Sequence, residues 1–103
     1  MNPPQLRQLS FAALMSTLVL VVGCQTAPVQ EMSDARQAIS AARDAGAADH
    51  AVVELQAAVD HLQSAERNLN QRQYESARRD AVQAKEDALN ALQRSESSQD
   101  DDL

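Results

Sequence analysis

Aromatic residues are almost missing: one Phe, one Tyr and no Trp in 103 residues, too few to line a substrate cleft of the usual apolar and aromatic kind. Cysteine occurs once, which excludes a disulfide framework. Gly appears twice and Pro three times, with no Pro after residue 28, so little downstream interrupts a helix. Positive charge is also scarce, with 9 Lys and Arg against 15 Asp and Glu and a net charge of −6. That balance repels phosphates and anionic surfaces, so nucleic acid is not an expected partner. Large aliphatic residues are few as well: Leu, Ile, Val and Phe total 21, whereas Ala alone accounts for 19. What remains is rich in Ala, Gln, Glu and Arg, all good helix formers, and poor in β-branched residues. The fold class is therefore expected to be all-α, with one small domain and a thin core.

The first ten residues carry Arg7 and no acid, and a twelve-residue apolar run, Phe11 to Val22, follows. At ~1.5 Å per residue this run spans roughly 18 Å as a helix, short of the ~30 Å hydrocarbon core of a bilayer. Such a segment reads as a cleavable secretory signal over residues 1–23. It closes on Val21-Val22-Gly23-Cys24, which resembles the lipobox of bacterial lipoproteins. The resemblance implies cleavage between Gly23 and Cys24, with diacylglycerol on the Cys24 thiol and an acyl chain on its new amino group. More than one chain makes a stable anchor, at ~0.8 kcal/mol per buried methylene. Gln25, where an Asp would favour inner-membrane retention in enterobacterial lipoproteins, points to the periplasm-facing leaflet of the outer membrane. The mature chain would keep eight basic and fifteen acidic residues, a net charge of −7.

After a lipidated linker, 24–27, three stretches repeat small or apolar residues at a 3,4 spacing, the mark of helices meeting along a narrow seam. Met32, Ala35, Ile39, Ala42 and Gly46 form the first, behind Pro28. Ala51, Leu55, Ala58, Leu62, Ala65 and Leu69 form the second, with Asp49 as its expected N-cap. Tyr74, Ala77, Ala81, Ala84, Ala88 and Ala91 form the third. Breaks fall at 45–49 and 70–73, where Asn70 is the expected left-handed residue. An up-down-up three-helix antiparallel bundle or coiled coil over residues 28–94 follows, with helices near 28–46, 50–69 and 73–95. Residues 95–103 are expected to form a disordered acidic tail. So thin a core makes the monomer marginal, hence an expected homo-oligomer or an envelope protein partner.

Few residues suggest chemistry. Asp49-His50 and Asp60-His61 recur eleven residues apart; on one helix the two imidazoles would share a face but lie ~16 Å apart. They cannot hold one ion, whose ligands all stand about 2 Å from it, so no metal site is expected. No Ser sits in a Gly-rich turn, and Asp100-Asp101-Asp102 lacks the spaced oxygens and turn Gly of a calcium loop. Arg78, Arg79 and Lys85 alternate with Glu75, Asp80, Glu86 and Asp87, a mixed-charge surface supported by i,i+4 pairs. Tyr74, the one aromatic of the mature chain, plugs the end of the bundle or forms part of an interaction surface. No catalytic residue, cofactor or small-molecule substrate is expected.

Cys24, Ala27-Pro28, Ala45-Gly46-Ala47, the Glu54-Leu55-x-x-Ala58-x-x-x-Leu62-x-x-Ala65 stretch and Tyr74-x-x-Ala77-x-x-x-Ala81-x-x-Ala84 together resemble a family of short Ala-rich bacterial lipoproteins defined as a domain of unknown function. The resemblance implies a lipid-anchored helical domain in the cell envelope and assigns no activity. The function expected is non-enzymatic: a membrane-tethered bundle engaged in protein interaction or envelope organisation. A second reading is a cell-wall spacer like the major outer-membrane lipoprotein, which is joined to peptidoglycan through a C-terminal Lys; here the last residue is Leu103. A small hydrolase is the third.

Overall fold

The computed structural model describes residues 26–101. Helix α1 spans Val29–Asp44, a single turn α2 spans Ala47–His50, α3 spans Val52–Asn70 and α4 spans Tyr74–Asp101. No strand occurs among the described residues, and the three long helices pack together as an all-α bundle. The signal segment 1–23 with Gly23, together with Cys24, Gln25, Asp102 and Leu103, lies outside the described residues.

Helix α4 organises the core. Ala77, Ala81, Ala84, Ala88, Ala91 and Ser95 are all buried, and their alternating spacing of four and three is the 3.5-residue period of a coiled-coil seam. Every side chain on that seam is small, so neighbouring backbones approach closely. Three layers stack along it. Met32, Ala65 and Ala81, with Leu62 and Leu69 leaning over them, form one. Ala38, Ile39, Ala58 and Ala88, with Leu55, Val59 and Leu62, form the middle. Ala42, Ala47, Ala51 and Ala91, with Leu55 and Leu92, close the other end. No buried side-chain nitrogen or oxygen among the described residues lacks a partner.

The connections differ from the expected ones in three places. Gly46 ends α1 with φ 89°, its N–H donating to the Arg43 carbonyl at 3.0 Å. A Cβ there would meet His50 Cδ2 at 3.3 Å in a left-handed backbone, so this position requires glycine. The break at 45–49 is not irregular, because α2 forms within it. Ala47 and Ala51, both buried, tuck the linker into the core, and its N–H groups close on the Gly46 and Ala47 carbonyls. Asp49 therefore sits inside α2 and does not cap α3; Ala51, with φ −146°, occupies that place without a side-chain hydrogen bond.

At the other turn the left-handed residue is Arg72, with φ 60°, and not Asn70, which remains the last residue of α3. The Gln73 N–H donates to the Asn68 carbonyl at 2.8 Å and the Arg72 N–H to that of Leu69 at 3.0 Å. This is the paired closure of a Schellman motif, and it puts the left-handed residue two positions beyond the helix.

The expected disordered tail is the third correction, because α4 continues through it to Asp101. Ser95 occupies a buried seam position, and its hydroxyl donates to the Ala91 carbonyl at 2.8 Å. Ser97 and Ser98 turn back in the same way onto the Gln93 and Arg94 carbonyls at the exposed surface, the i−4 bond that serine makes within a helix. Gln99 Nε2 then donates to the Ala45 carbonyl at 2.8 Å. The last turns of α4 thus cap the end of α1.

Candidate functional site

Direction along the bundle follows from pairs of residues on facing helices. Arg78 at the start of α4 reaches Glu31 at the start of α1, and Gln99 near the end of α4 reaches Ala45 just past the end of α1. These two helices are parallel. Helix α3 runs the other way: Arg94 pairs with Glu54, His61 Nδ1 lies 2.7 Å from Asp87 Oδ2, and Asn68 Nδ2 donates to Asp80 Oδ2 at 2.7 Å. One pole carries Thr26, the turn after α3 and Tyr74. The opposite pole carries Gly46, α2 and the end of α4.

The three α3–α4 pairs form evenly spaced rungs. Glu54, His61 and Asn68 are seven residues apart, as are Arg94, Asp87 and Asp80, so both sets occupy the position just before a core residue of the heptad. Ser64 adds a second hydrogen bond to Asp80 Oδ2 at 2.7 Å. Across the other seams, Arg36 pairs with Glu66 at 3.4 Å and Arg78 with Glu31 at 3.3 Å. Glu54, in the first turn of α3, has its carboxyl held below the ordinary 4.5 by a hydrogen bond from its own backbone N–H and next by Arg94. That carboxylate places negative charge at the N-terminus of α3, where it suits the helix dipole, although no side chain caps the helix.

The sequence-level candidates are scattered by this arrangement. His50 lies exposed in α2, packed over Gly46, while His61 lies midway along α3 and turns to Asp87 rather than to its neighbour Asp60. Asp60 instead accepts from Gln56 at 2.8 Å. The kink at Ala51 separates the two imidazoles, and no group of three or more metal-ligating side chains occurs among the described residues. Of the mixed-charge surface, Arg78 and Glu75 make an i,i+3 pair at 2.7 Å, whereas Asp80 and Asp87 reach across to α3. Tyr74 is half-buried at the first residue of α4. No helix among the described residues is long and apolar enough to cross a membrane.

Arg78, in the sequence one member of a mixed-charge run, makes three side-chain contacts in the structure. Its Nη2 donates to the Thr26 carbonyl at 3.1 Å, its Nε reaches Glu31 and its Nη1 reaches Glu75. One guanidinium thereby ties the entering chain, α1 and α4 together at the pole that bears Tyr74. Its only sequence signal is its heptad place beside the Ala77 seam position, facing Glu31 one helix away.

Small residues at each α4 seam position, polar rungs at heptad spacing and short turns define a compact antiparallel coiled-coil bundle of the small-residue type. Within that class the chain belongs to the family described as domain of unknown function (DUF4398), whose match covers residues 30–102. Comparison with curated proteins and with solved structures finds no match in either.

Proposed function

We propose that the protein is a lipid-anchored, periplasm-facing bundle of the bacterial envelope that works through contacts with other proteins or with further copies of itself, and not through catalysis. One observation carries this reading: Val21-Val22-Gly23-Cys24 closes a twelve-residue apolar run behind a short, acid-free leader. Cys24 is the lipid attachment site, Gly23-Cys24 the cleavage point, and Gln25 favours the outer membrane. The flanks of the α3–α4 seam support a scaffold role, because the chemistry-bearing side chains there are engaged in joining helices: His61 with Asp87, Asp80 with Ser64 and Asn68, Glu54 with Arg94. Tyr74 at the bundle pole is the candidate contact residue.

The test is the intact mass of the protein purified from its own membrane, beside fatty-acid labelling of wild type and Cys24→Ala. The expected product starts at Cys24 and carries diacylglycerol and a third acyl chain, and the variant takes up no label. An intact leader or a free thiol on Cys24 overturns the reading.

A further inference from the structure

The net charge of −7 for the mature chain suggests that the bundle avoids anionic bilayers, but the fold distributes that charge unevenly. Residues 67–79, covering the last turn of α3, the connecting turn and the first turns of α4, hold Arg67, Arg72, Arg78 and Arg79 against Glu75 alone. Arg67, Arg72 and Arg79 are exposed. The acids at this pole are turned to other partners: Glu31 and Glu75 share Arg78, Glu66 pairs with Arg36, Asp80 accepts from Ser64 and Asn68, and Asp34 accepts from Gln30, which leaves the three exposed guanidinium groups outside any ion pair among the described residues. The opposite pole holds Asp44, Asp49, Glu54, Glu96, Asp100 and Asp101 against Arg43 and Arg94.

The basic pole is also where the chain enters. Arg78 fixes the Thr26 carbonyl there, and Cys24 lies two residues earlier, so at most ~7 Å of extended backbone separates the two. We infer that the Tyr74 pole rests on the leaflet that holds the Cys24 lipid, with Arg67, Arg72 and Arg79 engaging the phosphates of anionic phospholipid headgroups and the Gly46 pole pointing away. This rests on the lipid-anchor reading of Cys24. The acidic pole does not oppose it. Helix α4 has 28 residues, roughly 42 Å at 1.5 Å per residue, which is several times the ~8 Å over which charge is felt at physiological salt. The bilayer meets the near pole's charge, not the whole-chain average. All three groups are guanidinium, which pairs with phosphate through two parallel N–H bonds, and a half-buried Tyr beside them suits the interfacial layer.

The experiment uses the native protein after its intact mass has been read. Single fluorophores go on Gln71→Cys or Ala48→Cys, one at each pole, and the labelled protein is reconstituted in vesicles of phosphatidylcholine alone or mixed equally with phosphatidylglycerol, each containing a headgroup quencher. Quenching is expected at position 71 and not at 48, stronger with phosphatidylglycerol and weakened by salt. The Arg67→Gln/Arg72→Gln/Arg79→Gln variant should lower the contact equilibrium by about five-fold per arginine, roughly a hundred-fold in all. The salt arm on the unsubstituted arginines decides the matter should that variant fail to fold. An unmodified Cys24 overturns the anchor, and this orientation with it. An acylated Cys24 with equal quenching at both positions, or with quenching at 71 insensitive to phosphatidylglycerol and salt, overturns the orientation alone and leaves the anchor standing.

Discussion

Helices α1 and α3 both lie against α4, yet they are fixed to it by different means. Against α3, the α4 seam offers only alanines and one serine, and alanines a heptad apart are interchangeable. A slide of seven residues would bury nearly the same apolar surface. Register there must come from elsewhere, and the rungs Glu54–Arg94, His61–Asp87 and Asn68–Asp80 supply it. Polar groups in such flanking positions are a recognised way of fixing pairing in coiled coils. Against α1, two large buried side chains, Met32 and Ile39, at 2% and 3% exposure, fit only where the layers leave room for them. Shape sets that register, with Arg78–Glu31 and Gln99–Ala45 closing the two ends. A small-residue seam gains close approach and gives up positional information, which polar pairs or a few bulky residues must restore.

The largest effect should come from enlarging the seam that both neighbours share. Ala88 is fully buried and touches the layer containing Ala38, Ile39 and Ala58. Ala88→Leu would force the backbones apart, and overpacking of this kind costs ~1–3 kcal/mol or more. In a domain of this size that is expected to abolish a cooperative thermal transition, read by circular dichroism. Next comes Met32→Ala, which empties the layer it shares with Ala65 and Ala81 and should cost ~2–3 kcal/mol. Hydrogen exchange should then rise more in α1 than in the α3–α4 hairpin. Equal loosening of all three helices would mean that shape does not hold α1 separately.

Much of this division is legible in the residues. The 3,4 spacing located where the three long helices begin, because the period of small and apolar positions reports directly which face is buried, but it ended the third at residue 95 where α4 runs on to Asp101. The signal failed where polar residues take seam positions. Ser95 continues the α4 period, but a serine does not look apolar, and only its hydrogen bond to the Ala91 carbonyl makes it equivalent to Ala. The caps were missed for a related reason. Asp49 and Asn70 are favoured residue types near the correct places, yet the backbone closures around Gly46 and Arg72 depend on how the buried Ala47 and the Leu69 layer draw the chain inward. Of the site, the Asp-His pairs adjacent in sequence had no partnership in space, whereas Asp80 and Asp87 found partners on α3 through heptad positions that a single-helix reading treats as surface.

A smaller effect should sharpen the claim about register. Asp80→Ala leaves Ser64 Oγ and Asn68 Nδ2 without the oxygen that both donate to, at ~1–2 kcal/mol for part-buried donors. Beyond the stability loss, the α3–α4 amide resonances should broaden as slipped pairings become populated, while those of α1 stay sharp. Sharp resonances throughout would show that the Asp80 rung contributes stability but not register.

The smallest effect tests the last rung through pH. Glu54 has its carboxyl held below the ordinary 4.5, first by its own backbone N–H and then by Arg94, so the folded state binds its proton more weakly than the unfolded chain does. A group of this sign adds stability that is fully present above 4.5 and disappears as pH falls through the lowered folded value, because the unfolded state then takes up the proton first. Other carboxylates titrate in the same range, so the difference between wild type and Glu54→Gln isolates the contribution. The melting temperature of wild type should exceed that of the variant near neutral pH, and the gap should close in acid. The pair sits at the Gly46 pole, where α3 begins, and its loss should fray the first turn of α3 before the His61–Asp87 rung yields. A gap independent of pH would mean that Glu54 supports the helix by packing alone, leaving the two inner rungs to set the alignment of α3 on α4.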